Sequence, residues 1–135
     1  MESTAKKLRK IGLKVTPQRL AILQMIKGDR THPSAEKIYH EMSKKFPGIS
    51  FATVYNTLSK LVEAGEIQQL DIDPTKKRFD PYTSLHYHFY CKTCGEVYDV
   101  DCPVSLTSNI KRVAGHRVEA IQLNFKGVCK DCANR

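Results

Sequence analysis

His86-Tyr87-His88-Phe89-Tyr90-Cys91-Lys92-Thr93-Cys94-Gly95-Glu96-Val97-Tyr98-Asp99 is the stretch on which the rest of the chain hangs. Its two histidines stand at i and i+2, a spacing that puts both imidazoles on one face of a strand. Its two cysteines stand at i and i+3 with a glycine directly after, the pattern of half a zinc knuckle. One short segment therefore serves two metal sites of different chemistry, one of sulfur and one of nitrogen and oxygen.

Outward from this stretch, Cys91 and Cys94 have a counterpart in Cys129 and Cys132, with 34 residues between the pairs. Zinc takes four thiolates in a tetrahedron, and each Cys-x-x-Cys turn offers two at the right bite. The long loop between them is no obstacle, because closure entropy grows slowly with length. The expectation is a structural zinc on Cys91, Cys94, Cys129 and Cys132, with no open position for catalysis. The blander alternative is reduced thiols or a redox pair. Cys102 is left over, as a small apolar residue or a spare thiol.

Around the histidines, Asp80 lies just upstream, and Asp99 comes close to His86 and His88 if the strands flanking the knuckle pair. Imidazoles with carboxylates suit Fe(II), Mn(II) or Zn(II) rather than Cu(I). His32, ahead of a proline, reads by itself as a loop histidine.

The first half differs in character. Of the net charge of +8, residues 1–78 carry +7 and residues 79–135 carry +1, while all five cysteines fall in the second half. A basic excess of this kind suits a binder of the phosphate backbone, or simply a solvated basic surface. Helical periodicity runs through residues 4–27 with a break near Gly12, and Thr16-Pro17 is a start signal. Ser34 opens a second helix that Pro47-Gly48 stops. Ser50 opens a third, Phe51 to Ala64, whose Val54, Leu58, Leu61 and Val62 form a buried stripe. Short strands over Glu66–Leu70 and Lys76–Phe79 flank an Asp73-Pro74-Thr75 turn. Helices followed by a hairpin with a basic arm of Lys76, Lys77 and Arg78 make a winged helix. Beyond Asp80-Pro81-Tyr82 the pattern is strand (86–90), knuckle, strand (97–100), helix (104–113), strand (117–125) and the last cysteine pair.

The expected fold class is thus α+β. A winged-helix DNA-binding domain spans residues 1–79, a hinge 80–83, and a small zinc-stapled α/β domain 84–135. Halves of this size often need a staple or a partner subunit. No apolar run approaches the roughly 20 residues of a membrane span, and no signal peptide is evident at the N-terminus, so a cytoplasmic protein without a membrane partner is expected.

Taken together, Leu13 to Leu20 (LKVTPQRL), His32 to Tyr39 (HPSAEKIY), Ala52 to Leu58 (ATVYNTL), Arg78-Phe79-Asp80, His86-Tyr87-His88 and the two cysteine pairs resemble the ferric uptake regulator family over essentially the whole chain. Within it, the chain looks most like the peroxide-sensing branch. The resemblance implies a homodimeric, metal-dependent repressor that binds an AT-rich inverted repeat in double-stranded DNA and dimerises through its C-terminal domain. It implies a regulatory Fe(II) or Mn(II) held by His32, Asp80, His86, His88 and Asp99. Asp99 is the telling position, because iron-sensing members usually carry Glu there. His32 and His86 match the ligand histidines that peroxide oxidises at bound Fe(II), releasing metal and operator and derepressing oxidative-stress genes. Tyr55 matches the base-contacting residue of the recognition helix. Thr53, Asn56, Thr57 and Lys60 could reach phosphates or bases, and Lys14 and Arg19 could hold backbone.

The chain departs from the family where many members carry His-His-Arg before the last cysteine pair. Here that place reads Ala120-Ile121-Gln122, so a third metal is not expected, and His116 stands apart. The rival readings are an iron-sensing repressor, a metal-dependent hydrolase using a metal-activated water, and a zinc-stapled interaction module with no regulatory metal. The expectation is a regulator rather than an enzyme, with no catalytic residues.

Overall fold

A computed structural model describes residues 3–29, 31–83, 87–101, 110–119 and 121–134. His86, Cys102 and positions 104–109 of the expected C-terminal helix lie outside the described residues. The chain divides into two compact units, Met1–Ser84 and Leu85–Arg135. Asp80 thereby falls in the first unit, at the end of a strand.

The first unit begins with four helices: α1 (Thr4–Lys10), α2 (Pro17–Gly28), α3 (Ala35–Lys45) and α4 (Phe51–Glu63). Each opens on a hydroxyl cap. Ser3, Thr16, Ser34 and Ser50 accept from the amides of Lys6, Arg19, Lys37 and Thr53. Such a cap satisfies an amide that the helix leaves without a partner, worth about 1 kcal/mol. The expected break near Gly12 separates α1 from α2. At the other end of the bundle, α4 closes in a Schellman turn. The amide of Gly65 bonds to the Val62 carbonyl and that of Glu66 to Leu61, with Gly65 at φ +76°.

The apolar stripes of these helices meet in one core. Leu8, Ile22, Leu23, Ile26, Ile38, Val54, Leu58 and Leu61 are completely buried there, with Met42, Ile67 and Phe79 almost so. Phe79 comes from an antiparallel hairpin of β1 (Gln68–Leu70) and β2 (Arg78–Asp80), in which it faces Gln69. The second strand starts two residues later than Lys76. An Asx turn at Asp73, which accepts from the Thr75 amide and hydroxyl, precedes it, and Lys76 and Lys77 lie ahead of the ladder. This helical bundle with an appended hairpin has the winged-helix plan.

The second unit holds a three-stranded sheet in the order β4-β3-β7. β3 (Tyr87–Cys91) runs antiparallel to β4 (Val97–Val100) and parallel to β7 (Asn124–Gly127). Two expectations fail here. Arg112–Val113, read as the end of a helix, is strand β5, paired with β6 (His116–Arg117). Ala114 and Gly115 both take positive φ, +50° and +84°, which makes the two-residue turn favoured in hairpins and reverses the chain. The expected strand over 117–125 is accordingly split. Arg117 belongs to the hairpin, and the described residues 118–119 and 121–123 are outside any ladder. A short helix, α5 (Lys130–Ala133), closes the chain, capped by Cys129. The architecture is α+β.

Candidate metal centres

Four sulfurs gather in the second unit. Cys91 ends β3, Cys94 sits on the turn to β4, and Cys129 and Cys132 bracket the start of α5. Gly95, at φ +78°, lets that turn fold back so that its amide reaches the Cys91 carbonyl at 2.8 Å. All four sulfurs lie within 4.8 Å of one another, and Cys94 Sγ is 3.9 Å from Cys129 Sγ. Zinc–sulfur bonds of about 2.3 Å in a tetrahedron put sulfurs about 3.8 Å apart. The four cysteines fit Zn(II).

The surroundings favour the thiolate at Cys91 and Cys129. Burial opposes ionisation of Cys91, but amide donations from Cys129 (3.2 Å) and Cys94 (3.5 Å) outweigh it and hold the thiol down at about 6. Tyr98 on β4 donates its hydroxyl to Cys129, and this bond is the largest influence lowering that thiol. The same bond raises Tyr98 well above its ordinary range. Hydrogen bonding to Cys129 pushes Cys132 up to about 12, so a metal binding there displaces its proton. The sequence reading missed Tyr98. Its signal was its place one residue before Asp99 on the strand returning from the knuckle.

The nitrogen and oxygen donors occur as two pairs, one in each unit. In the first unit, His32 Nε2 lies 3.4 Å from Asp80 Oδ2, and both residues are almost wholly buried. His32 sits at φ +58°, a backbone region that L residues other than glycine seldom adopt. Asp80 Oδ1 also accepts from the Tyr82 amide at 2.9 Å, which orients the carboxylate. In the second unit, His88 and Asp99 are direct partners across β3 and β4, with Nε2 and Oδ1 3.3 Å apart. The His88 side chain is buried and that of Asp99 is 41% exposed. Borderline nitrogen with hard oxygen suits Fe(II) or Mn(II). His116 is exposed on the β5–β6 hairpin.

On α4 of the first unit, Tyr55 is half-buried and tilted against Phe51, with ring centroids 6.0 Å apart. Phe51 in turn meets Tyr39 edge-on at 5.6 Å. Asn56 and Lys60 are exposed, while the Thr53 hydroxyl is engaged with Ser50 at 2.9 Å. Thr57 is a correction. It is buried, and its hydroxyl donates to the Thr53 carbonyl at 2.8 Å, so it faces the core and not a ligand. Lys14 is exposed, and Arg19 donates to the Lys14 carbonyl at 2.8 Å. Arg78, read as a cation of the wing, is turned inward. It donates to Asp73 at 3.0 Å and to the His32 carbonyl at 3.1 Å.

The ferric uptake regulator family model matches residues 10–126. The chain belongs to the ferric uptake regulator family. It is 37% identical to the peroxide-responsive repressor PerR of Staphylococcus aureus (strain Mu50), over 100% of this chain and 93% of that protein. Among solved structures it is similar to the Campylobacter jejuni peroxide stress regulator, at 31% identity and a TM-score of 0.71, covering 98% of this chain and 100% of that one. It is also similar to the ferric uptake regulator of Francisella tularensis solved with iron, at 26% identity and a TM-score of 0.74, covering 90% and 96%. As a family member the chain is a metal-dependent transcriptional regulator, with a four-cysteine site and His/Asp donors that could hold its metals. Among the described residues no helix is long and apolar enough to cross a membrane.

Proposed function

We propose that the chain is a homodimeric, peroxide-responsive repressor. Its structural zinc is held by Cys91, Cys94, Cys129 and Cys132. Its regulatory Fe(II) or Mn(II) is held by His32, Asp80, His86, His88 and Asp99. The observation that carries this reading is the buried His32–Asp80 pair, an imidazole and a carboxylate at 3.4 Å inside the DNA-binding unit. A winged helix has no need of such a pair to fold, and buried ionisable groups are costly unless partnered. An ion that took this pair together with His88 and Asp99 would bind one placement of the two units better than others. That differential affinity is what a switch requires.

Fe(II) held by these residues would supply the chemistry that splits peroxide. One oxygen would pass to the imidazole of His32 or His86 and the other would leave as water, so the ring loses the two electrons that the peroxide gains, and an oxidised imidazole is a poorer donor. Tyr55, Thr53, Asn56 and Lys60 on α4, with Lys14 and Arg19, are the proposed contacts to an AT-rich inverted repeat. The name of the Staphylococcus relative supports the peroxide reading. The Francisella structure solved with iron supports the competing one, an iron sensor.

The test begins with a duplex selected from a random pool by the Mn(II)-loaded protein. Its affinity is measured with Mn(II) and with Fe(II), each with and without low peroxide. Tryptic peptides are weighed in parallel. Release only from the Fe(II) form, with one oxygen gained on the peptide bearing His32 or His86, is expected. Intact binding and unchanged peptide masses would leave the iron sensor standing.

A further inference from the structure

The inward turn of Arg78 gives that side chain a role beyond the wing. We infer that Arg78, held by Asp73, is a positioning residue for the metal ligand His32, and so ties the wing turn to the regulatory site. The inference rests on the proposed ligand set.

Arg78 and Asp80 are two apart on β2, so their side chains leave the strand on one face while Phe79 enters the core from the other. Both reach His32. Asp80 approaches its imidazole at 3.4 Å, and Arg78 Nη1 donates to its backbone carbonyl at 3.1 Å. The same guanidinium donates through Nε to Asp73 Oδ2 at 3.0 Å, with the Asp73 side chain 2% exposed and that of Arg78 14%. Two further contacts bind the segment to β2. The Phe79 amide donates to the Pro33 carbonyl at 2.9 Å, and Ser34 bridges Arg78. Positive φ at a residue other than glycine persists where its surroundings over-determine it, and here β2 is what surrounds His32. The planar fork of Arg78 serves an acid and a carbonyl together, which a lysine ammonium on a flexible stem does not reproduce. Asp73 in turn caps the turn that carries Lys76 and Lys77, through the Thr75 amide at 2.9 Å. A shift at the wing is thus passed to His32 by two hydrogen bonds.

The experiment is a double-mutant cycle on the full-length, zinc-loaded protein. Arg78→Lys, His32→Ala and the double variant are titrated with Mn(II) and followed by Mn(II) electron paramagnetic resonance. Arg78→Lys is expected to lose about 10- to 100-fold in Mn(II) affinity, as supporting hydrogen bonds to metal ligands do, and nothing further in the His32→Ala background. The same loss in both backgrounds, or no loss in either, overturns the inference. If His32→Ala alone leaves the affinity unchanged, the assignment of His32 as a ligand falls first and the positioning role with it. Should Arg78→Lys fail to fold, Asp73→Asn, which leaves the guanidinium unanchored, is read by the same cycle.

Discussion

His88 and Asp99 are direct partners across β3 and β4, and Nε2 of the one lies 3.3 Å from Oδ1 of the other. The strand ladder sets this geometry, and the cysteine turn between the strands fixes the ladder's register. A half-site that stands on a rigid hairpin should bind metal without rearranging. Asp99→Asn keeps the shape and removes the charge. It is expected to lower Mn(II) affinity by about 10- to 100-fold while zinc content stays at one per chain. Metal analysis after dialysis, beside a Mn(II) titration, checks both. Loss of zinc in this variant would show the two sites to be one structural unit.

Hydrogen bonding from the Tyr98 hydroxyl is the largest influence lowering the Cys129 thiol. Tyr98→Phe removes the bond and little else. Zinc should then leave faster to a chelator, by about 10-fold or more, with the fold intact before it leaves. Cys129→Ser is the harsher comparison. Apparent zinc binding energies of about 10–16 kcal/mol are also folding energies in small zinc domains, so the second unit should lose its cooperative transition outright. Equal zinc release from the Tyr98→Phe and parent proteins would assign the phenol to packing alone.

The Asp73 carboxyl is held below its ordinary range. Burial works against this, and the hydroxyl and amide of Thr75 with Arg78 overcome it. A carboxyl whose folded value is depressed adds stability above the unfolded value, and that stability is lost as pH falls through the folded one. Asp73→Asn should therefore lower the thermal midpoint at pH 7, by an amount corresponding to about 1.5–3 kcal/mol for a hydrogen bond to a charged group. The gap between variant and parent should shrink as pH drops below about 4. Midpoints across that range decide it, and a gap constant with pH would mean the asparagine is simply misfitted.

Much of this was open to reading in the chain itself, and the reasons differ by element. The helices of the first unit show because their caps and apolar stripes are local: Ser50 and Val54-Leu58-Leu61 declare α4 without help. The sulfur site shows because zinc demands a ligand spacing that little else uses. The pairing of His88 with Asp99 could be read only by assuming that two strands meet. Arg78 could not be placed, because a basic residue beside Lys76 and Lys77 looks solvated until Asp73 and His32, 46 residues before it, are brought to it. The β5–β6 hairpin was missed because Ala114 takes a positive φ that its residue type does not announce.

Thr57 and Lys60 lie on the same helix as Tyr55 and separate the face that packs from the face proposed to meet DNA. Thr57 is 1% exposed and back-bonded to Thr53, whereas the Lys60 side chain is 55% exposed, 3.6 Å from Glu63. Thr57→Val should leave both affinity and its salt dependence unchanged, the cost falling on stability. Lys60→Ala should weaken specific and non-specific binding alike and lower the salt slope by about one. Tyr55→Ala should act differently from either. A ring packed on thymine methyls reads sequence, so its loss should take about 1–3 kcal/mol from discrimination and leave the salt slope in place. The measurement is binding of the Mn(II)-loaded protein to the selected duplex and to a scrambled one, over a range of salt. A Tyr55 variant with an unchanged ratio between the two duplexes would return that ring to the core, where its contact with Phe51 already half places it.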